Sequence, residues 1–282
     1  MNKEQALSHP TKTIKKQSFV FYCITILTGV ILCTTVYIIT FLGADNYIQS
    51  QKALFLSINK ALSAFPTFWV NMTFLGDTIV LFSLLSILLI KSPKTWAALF
   101  GSIPLAILLS RLGKWYFSIP RPAAIIEHDK FTIIGKALTG HTSLPSGHTV
   151  TIFTAITVIL WALKTNKAAG PQYLLMSAVA LAALLVAISR VAVGAHWPFD
   201  LVLGALFGCC SGLSGIYISQ KYNCFTSWVT LPKFKITHVI ILLIFALVMI
   251  INEHYSGIFV VWLGIAMVFF TSTKLIGTMS IK

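Results

Sequence analysis

The sequence predicts an all-α, polytopic helical membrane protein with about eight spans. Two observations carry this. Of 282 residues, 57% are hydrophobic and 10% charged, with a mean hydropathy of +0.86, whereas a soluble domain carries roughly a quarter charged residues. The apolar residues also gather into runs close to the ~20 that cross a bilayer core.

The elements follow in order. Residues 1–17 hold Lys3, Lys12, Lys15 and Lys16 and read as a basic cytoplasmic tail. A cleaved signal peptide would have a shorter apolar run ending in small residues, so 18–42 is read as an uncleaved first span. Further spans are predicted at 68–90, 95–113, 148–164, 172–193, 198–219, 236–252 and 257–273. The chain therefore divides into a tail at 1–17 and a membrane region with its loops at 18–282.

A net charge of +14 could signal nucleic acid or an anionic surface. With the N-terminus in the cytoplasm, 13 of the 21 Lys and Arg fall on the cytoplasmic side of eight spans. That asymmetry is the positive-inside pattern. The basicity sets topology, no nucleic-acid partner is implied, and both termini are expected in the cytoplasm. Cys23, Cys33, Cys209 and Cys210 lie within spans and Cys224 in a loop, which suits small buried hydrophobes better than a disulfide framework or metal site.

Three segments, 114–122, 145–148 and 189–200, carry polar groups that such a chain needs a reason to keep. They are Lys114-x6-Arg121-Pro122, Pro145-Ser146-Gly147-His148, and Ser189-Arg190-x5-His196-x3-Asp200. The predicted topology brings all three to the outer face. Arg offers a planar fork to phosphate oxygens and Lys a compact charge, although single cations at span ends also snorkel to the interface. Gly147 allows close backbone approach at a helix start whose amides favour an anion, and Ser146 can donate a hydroxyl. Asp200 can orient the imidazole of His196 and leave its other nitrogen as a nucleophile. On that segment alone, a helix N-terminal acid beside an interfacial histidine is an equal reading. Two further features stay open. Asp77 is either a functional intramembrane acid or a helix cap, and Glu127-His128-Asp129 reads as a solvated loop face, with a substrate-gating role as the alternative.

Taken in order, the three segments closely resemble the signature of the type 2 phosphatidic acid phosphatase superfamily, which also includes vanadium haloperoxidases and glucose-6-phosphatase. The match covers every signature position across about 87 residues, from Lys114 to Asp200. The resemblance implies a membrane lipid phosphatase with a six-span core at 18–219, followed at 220–282 by a cytoplasmic loop and about two additional C-terminal spans. Lys114, Arg121 and Arg190 would clamp the phosphoryl oxygens, with Ser146 and the Gly147 amide. His196 would form a phosphohistidine, Asp200 would orient it, and His148 would protonate the leaving oxygen and then activate water. No metal or other cofactor is expected. The expected partner is a phosphorylated lipid in the bilayer, of the undecaprenyl diphosphate, phosphatidic acid, phosphatidylglycerophosphate or lipid A type. The site would lie on the periplasmic or outer face of a bacterial cytoplasmic (inner) membrane. A lipid-to-lipid phosphotransferase and a non-catalytic lipid-phosphate-binding protein remain the alternatives. Several spans argue against a haloperoxidase, and charges near one end rather than mid-membrane argue against a transporter.

Overall fold

The computed structural model of the chain describes residues 8–165 and 171–279, all helix and loop. Lys3, the other tail side chains, the side chain of Cys23, Lys167 and Lys282 lie outside the described residues. The helices run α1 (Ser8–Leu62), α2 (Pro66–Phe74), α3 (Thr78–Leu84), α4 (Leu88–Lys91), α5 (Pro93–Phe117), α6 (Pro122–Ile125), α7 (Gly147–Thr165), α8 (Pro171–Ala192), α9 (Pro198–Lys221), α10 (Asn223–Thr230), α11 (Lys235–Ile251) and α12 (Phe259–Gly277). Among the described residues, seven helices are long and apolar enough to span a membrane, or eight if the bent pair α2 and α3–α4 counts as one span. The chain is an all-α polytopic membrane protein.

Helix α9 is the axis of the bundle, packed chiefly on α7 and α5. Its glycines recur one turn apart. A Cβ on Gly204 would lie 2.9 Å from Ser146 O, on Gly208 2.6 Å from Phe153 Cβ, and on Gly212 2.7 Å from Thr157 Cβ. Between lipid-solvated helices there is little hydrophobic drive, so small residues that let backbones approach carry the packing. At the start of α5 an aromatic chain runs Phe82–Trp96–Phe100–Trp228, with centroids 5.7, 5.3 and 4.8 Å apart. It fastens α10, which fills what the sequence predicts as a plain loop around Cys224.

Three other elements depart from the sequence expectation. The first span extends into a 55-residue helix kinked at Gly43, whose φ of 72° and ψ of 167° suit only glycine. The stretch after the kink places Tyr47, Gln51, Phe55 and Asn59 on one face, all buried, and α1 packs on α8 and α9. The span predicted at 68–90 is broken, with α2 set 78° from the helix that follows. Asp77 caps that second helix, accepting from the amides of Ile79 (2.9 Å) and Val80 (3.1 Å). Hydropathy averages cannot see this change of direction, because both limbs are apolar. Helix α5 also outruns its predicted end, so Lys114 stands in its last turn.

The α9 seam yields the first prediction. Gly208→Ala should lower stability by about 1–3 kcal/mol through overpacking. Gly277→Ala, where a Cβ meets nothing within 4 Å, should not. Thermal unfolding of both variants in detergent checks this, and equal melting temperatures would count against the seam.

Candidate active site

Each cation is aimed by local backbone. Helix α5 ends where Ser118 turns left-handed (φ 46°) and donates its N–H to Lys114 O at 3.2 Å. The chain then runs through Pro120 and Arg121, pinned on both sides. Trp197 Nε1 donates to Pro120 O at 2.8 Å, the Arg121 amide donates to Gly140 O at 3.1 Å, and the Ser143 amide to Ile119 O at 3.0 Å. So held, Arg121 donates from Nη1 to Ala195 O (3.0 Å) and to His196 Nε2 (3.2 Å), and from Nη2 to Thr142 O (3.3 Å).

The α8–α9 turn delivers the histidine. Arg190 O accepts from the amides of Ala195 (3.0 Å) and His196 (3.2 Å). Gly194 between them has φ 78°, and a Cβ there would strike Phe131 Cε2 and Thr132 O at 2.9 Å. His196 is thereby placed with Nδ1 3.0 Å from Asp200 Oδ2. Arg121 can only donate, so Nε2 is the acceptor and the proton of the neutral ring sits on Nδ1, facing the carboxylate. Burial, and then the charges of Arg121, Arg190 and Lys114, hold this imidazole well below its usual 6.5.

Asp200 is fully buried and accepts from three donors besides His196. They are Tyr47 OH at 2.7 Å, Ser143 Oγ at 2.5 Å and the Trp197 amide at 2.9 Å. Arg190, 6% exposed, donates to the hydroxyl of Thr73. Lys114 points over the start of α7, where a Cβ on Gly147 would lie 3.6 Å from its Nζ. Ser146 Oγ accepts from Thr149 Oγ1 at 3.0 Å, which leaves its own proton to donate. His148 follows in the first turn of α7, with α2–α3 against it at Gly76, where a Cβ would meet His148 Cβ at 2.9 Å.

The eight residues singled out in sequence thus gather at one end of the bundle. None of Lys114, Arg121 and Arg190 forms an ion pair with a carboxylate among the described residues. Three cations left unneutralised in an apolar protein amount to a site for an anion. Lys114, Gly147 and His148 also wall a cleft of about 440 Å³ between α3, α5 and α7. It continues past Ile107, Ile103 and Leu99 of α5 and Phe82 of α3. From Lys114 to Leu99 is ~22 Å along a helix axis, much of the ~30 Å hydrocarbon core.

Sequence reasoning missed Tyr47, Thr73 and Ser143, which touch the site from elsewhere in the chain. It weighed Asp77 as cap or functional acid, and the residue both caps α3 and lines the cleft. In the Glu127–Asp129 loop, Lys130 lies 3.7 Å from Glu127 and from Asp129, all largely exposed, as a solvated face should be. Cys33, Cys209, Cys210 and Cys224 are free thiols.

Comparison with known proteins agrees with this geometry. The sequence model of the PAP2 superfamily matches residues 95–224. An undecaprenyl-diphosphatase of Sulfolobus acidocaldarius is 28% identical over 192 residues, 67% of this chain and 86% of the relative. The crystal structure of Aquifex aeolicus LpxE is 31% identical and superposes with a TM-score of 0.50, covering 61% of this chain and 95% of that one. With signature, sequence relatives and fold in accord, the chain belongs to the PAP2 superfamily, in its membrane lipid phosphatase branch.

Proposed function

We propose that this protein hydrolyses the phosphomonoester or diphosphate headgroup of a membrane lipid through a phosphohistidine intermediate, on the non-cytoplasmic face. The observation that carries the reading is the junction of an unneutralised three-cation pocket with an apolar cleft. A soluble phosphate would need the first and leave the second unused. The name of the Sulfolobus relative puts undecaprenyl diphosphate first among substrates to try.

In this reading Lys114, Arg121 and Arg190 hold the three non-bridging oxygens, with the Ser146 hydroxyl and the α7 amides. His196 Nε2 attacks phosphorus as the bond to the leaving oxygen breaks, and His148 donates a proton to that oxygen. The developing imidazolium is stabilised by Asp200. Water, deprotonated by His148, then attacks phosphorus from the same side as the departed alcohol or lipid phosphate, and His196 leaves. Fixed cations aimed at the equatorial oxygens supply the electrostatic stabilisation that dominates phosphoryl transfer.

Phosphate release by purified protein in detergent tests the proposal across the four lipid classes. His196→Ala should fall to the blank, and His148→Ala should lose about 10²–10⁴-fold in kcat. Release that survives both substitutions would reject these roles. No release from any lipid by the intact protein would favour phosphotransfer or a silent binder. Activity should persist in chelator, since cations and histidines do the work; complete loss with rescue by a divalent metal would reject that.

The neutral His196 has a further consequence. As pH falls through 6.5, the unfolded chain takes a proton at this residue that the folded chain resists. Its contribution to stability is therefore present above that pH and lost below it. The drop in melting temperature between about pH 7.5 and about pH 5.5 should be smaller in His196→Gln than in the natural protein. Equal drops would show that the ring titrates normally.

A further inference from the structure

Helices α11 and α12 lie beyond residue 224, where the family match ends, so the signature chemistry gives them no task. Their contacts do. They pack along α3 and α4, with Ser86 Oγ 3.0 Å from Thr271 Oγ1 and Val261 and Ile265 in one apolar cluster with Phe74 and Val80. The loop joining them grips α2–α3 on both sides of its bend. Before the bend, Asn71 Oδ1 accepts from the Val260 amide at 3.0 Å, one of the N–H groups a helix start leaves unpaired. At the bend, the Tyr255 hydroxyl is shared between the two oxygens of Asp77, 3.4 Å from each. Its ring meets Phe74 edge-on with centroids 5.6 Å apart. Burial and then the Asp77 carboxylate push the Tyr255 phenol up to about 12, so it stays a donor.

The same bend touches the site three times. Thr73 Oγ1 accepts from Arg190 Nη1, Gly76 leaves no room for a methyl against His148, and Thr78 Oγ1 lies 3.2 Å from Thr151 Oγ1. Arg190 Nε is buried with no partner among the described residues, so Thr73 is the side chain that holds this guanidinium. A carboxylate there would hold it more firmly but cancel the charge a phosphate needs. A hydroxyl orients without neutralising.

We propose that the α11–α12 hairpin is a buttress for the α2–α3 bend, and that Thr73, with Asp77 and Tyr255 behind it, is a positioning residue for Arg190. The inference rests on the proposed role of Arg190 as a phosphate ligand. Thr73→Val keeps the shape and removes the acceptor, so the affinity for orthovanadate, a phosphate analogue, should weaken about ten- to a hundredfold. Thr73→Ser should restore it. Tyr255→Phe should weaken vanadate binding in the same direction by less, and the two effects should be non-additive. Calorimetry on the full-length protein reads vanadate binding directly, so the test stands whether or not a lipid is turned over. Lost binding in Thr73→Val with an unchanged melting temperature supports the inference. Unchanged vanadate affinity in both variants, or a fall in melting temperature alone, overturns it and leaves the phosphatase reading untouched. An active natural protein whose Arg190→Gln variant retains full vanadate affinity would instead remove the phosphate-ligand role on which it rests.

Discussion

A carboxylate with no contact to solvent must have its lone pairs filled, and Asp200 fills them with donors from three separate parts of the chain. Tyr47 comes from the stretch of α1 after Gly43, Ser143 from the loop between α6 and α7, and His196 and the Trp197 amide from the α8–α9 turn. Removing one donor would leave a buried charge partly unsatisfied, a cost of about 1–3 kcal/mol or more. The group that sets the tautomer of His196 is therefore also the knot that ties these three segments together. Geometry at the proposed nucleophile and stability of this end of the bundle cannot be separated here, because they share one side chain.

The cations show the complementary design. Arg121 is held by backbone carbonyls and Arg190 by a hydroxyl, all neutral acceptors that fix direction and leave the charge intact. Burying such charges without counter-ions is expensive, and a protein selected for stability alone would pair or remove them. In the proposed reaction, keeping them would make the pocket favour a dianion, and the low dielectric around it would strengthen each contact with the oxygens in flight.

Much of the candidate site was legible because the proposed phosphoryl transfer demands particular residue types at spacings that one helix end or turn can deliver. His196 and Asp200, four apart across a Pro at the first turn of α9, show this. What the sequence hid is of another kind. Thr73 lies 117 residues from Arg190 and Tyr47 lies 153 from Asp200, and nothing local marks either as a partner. The stripe Tyr47, Gln51, Phe55 and Asn59 recurs every fourth residue, as do Gly204, Gly208 and Gly212. Both periods are written in the chain, but an average of hydropathy blends them into their apolar surroundings. The same blending made one span of 68–90, although Asp77 before Thr78 is an ordinary helix-start signal.

That break explains why the fold carries more helix than its chemistry requires. A straight second span would pass the site on a lipid-facing path and could present neither Thr73 nor Gly76 to it. Bending the span by 78° lays α2 across the end of α8, where Thr73 reaches Arg190. The bend interrupts the helical ladder, however, and its polar groups then sit beside the cleft between α3, α5 and α7. Asp77 satisfies two of the freed amides, and what remains is a carboxylate near hydrocarbon that needs a donor of its own. Tyr255 offers that donor from the α11–α12 loop, and Asn71 returns the favour by capping α12. On this view the added spans follow from the bend, and the bend follows from the need to hold an arginine without neutralising it.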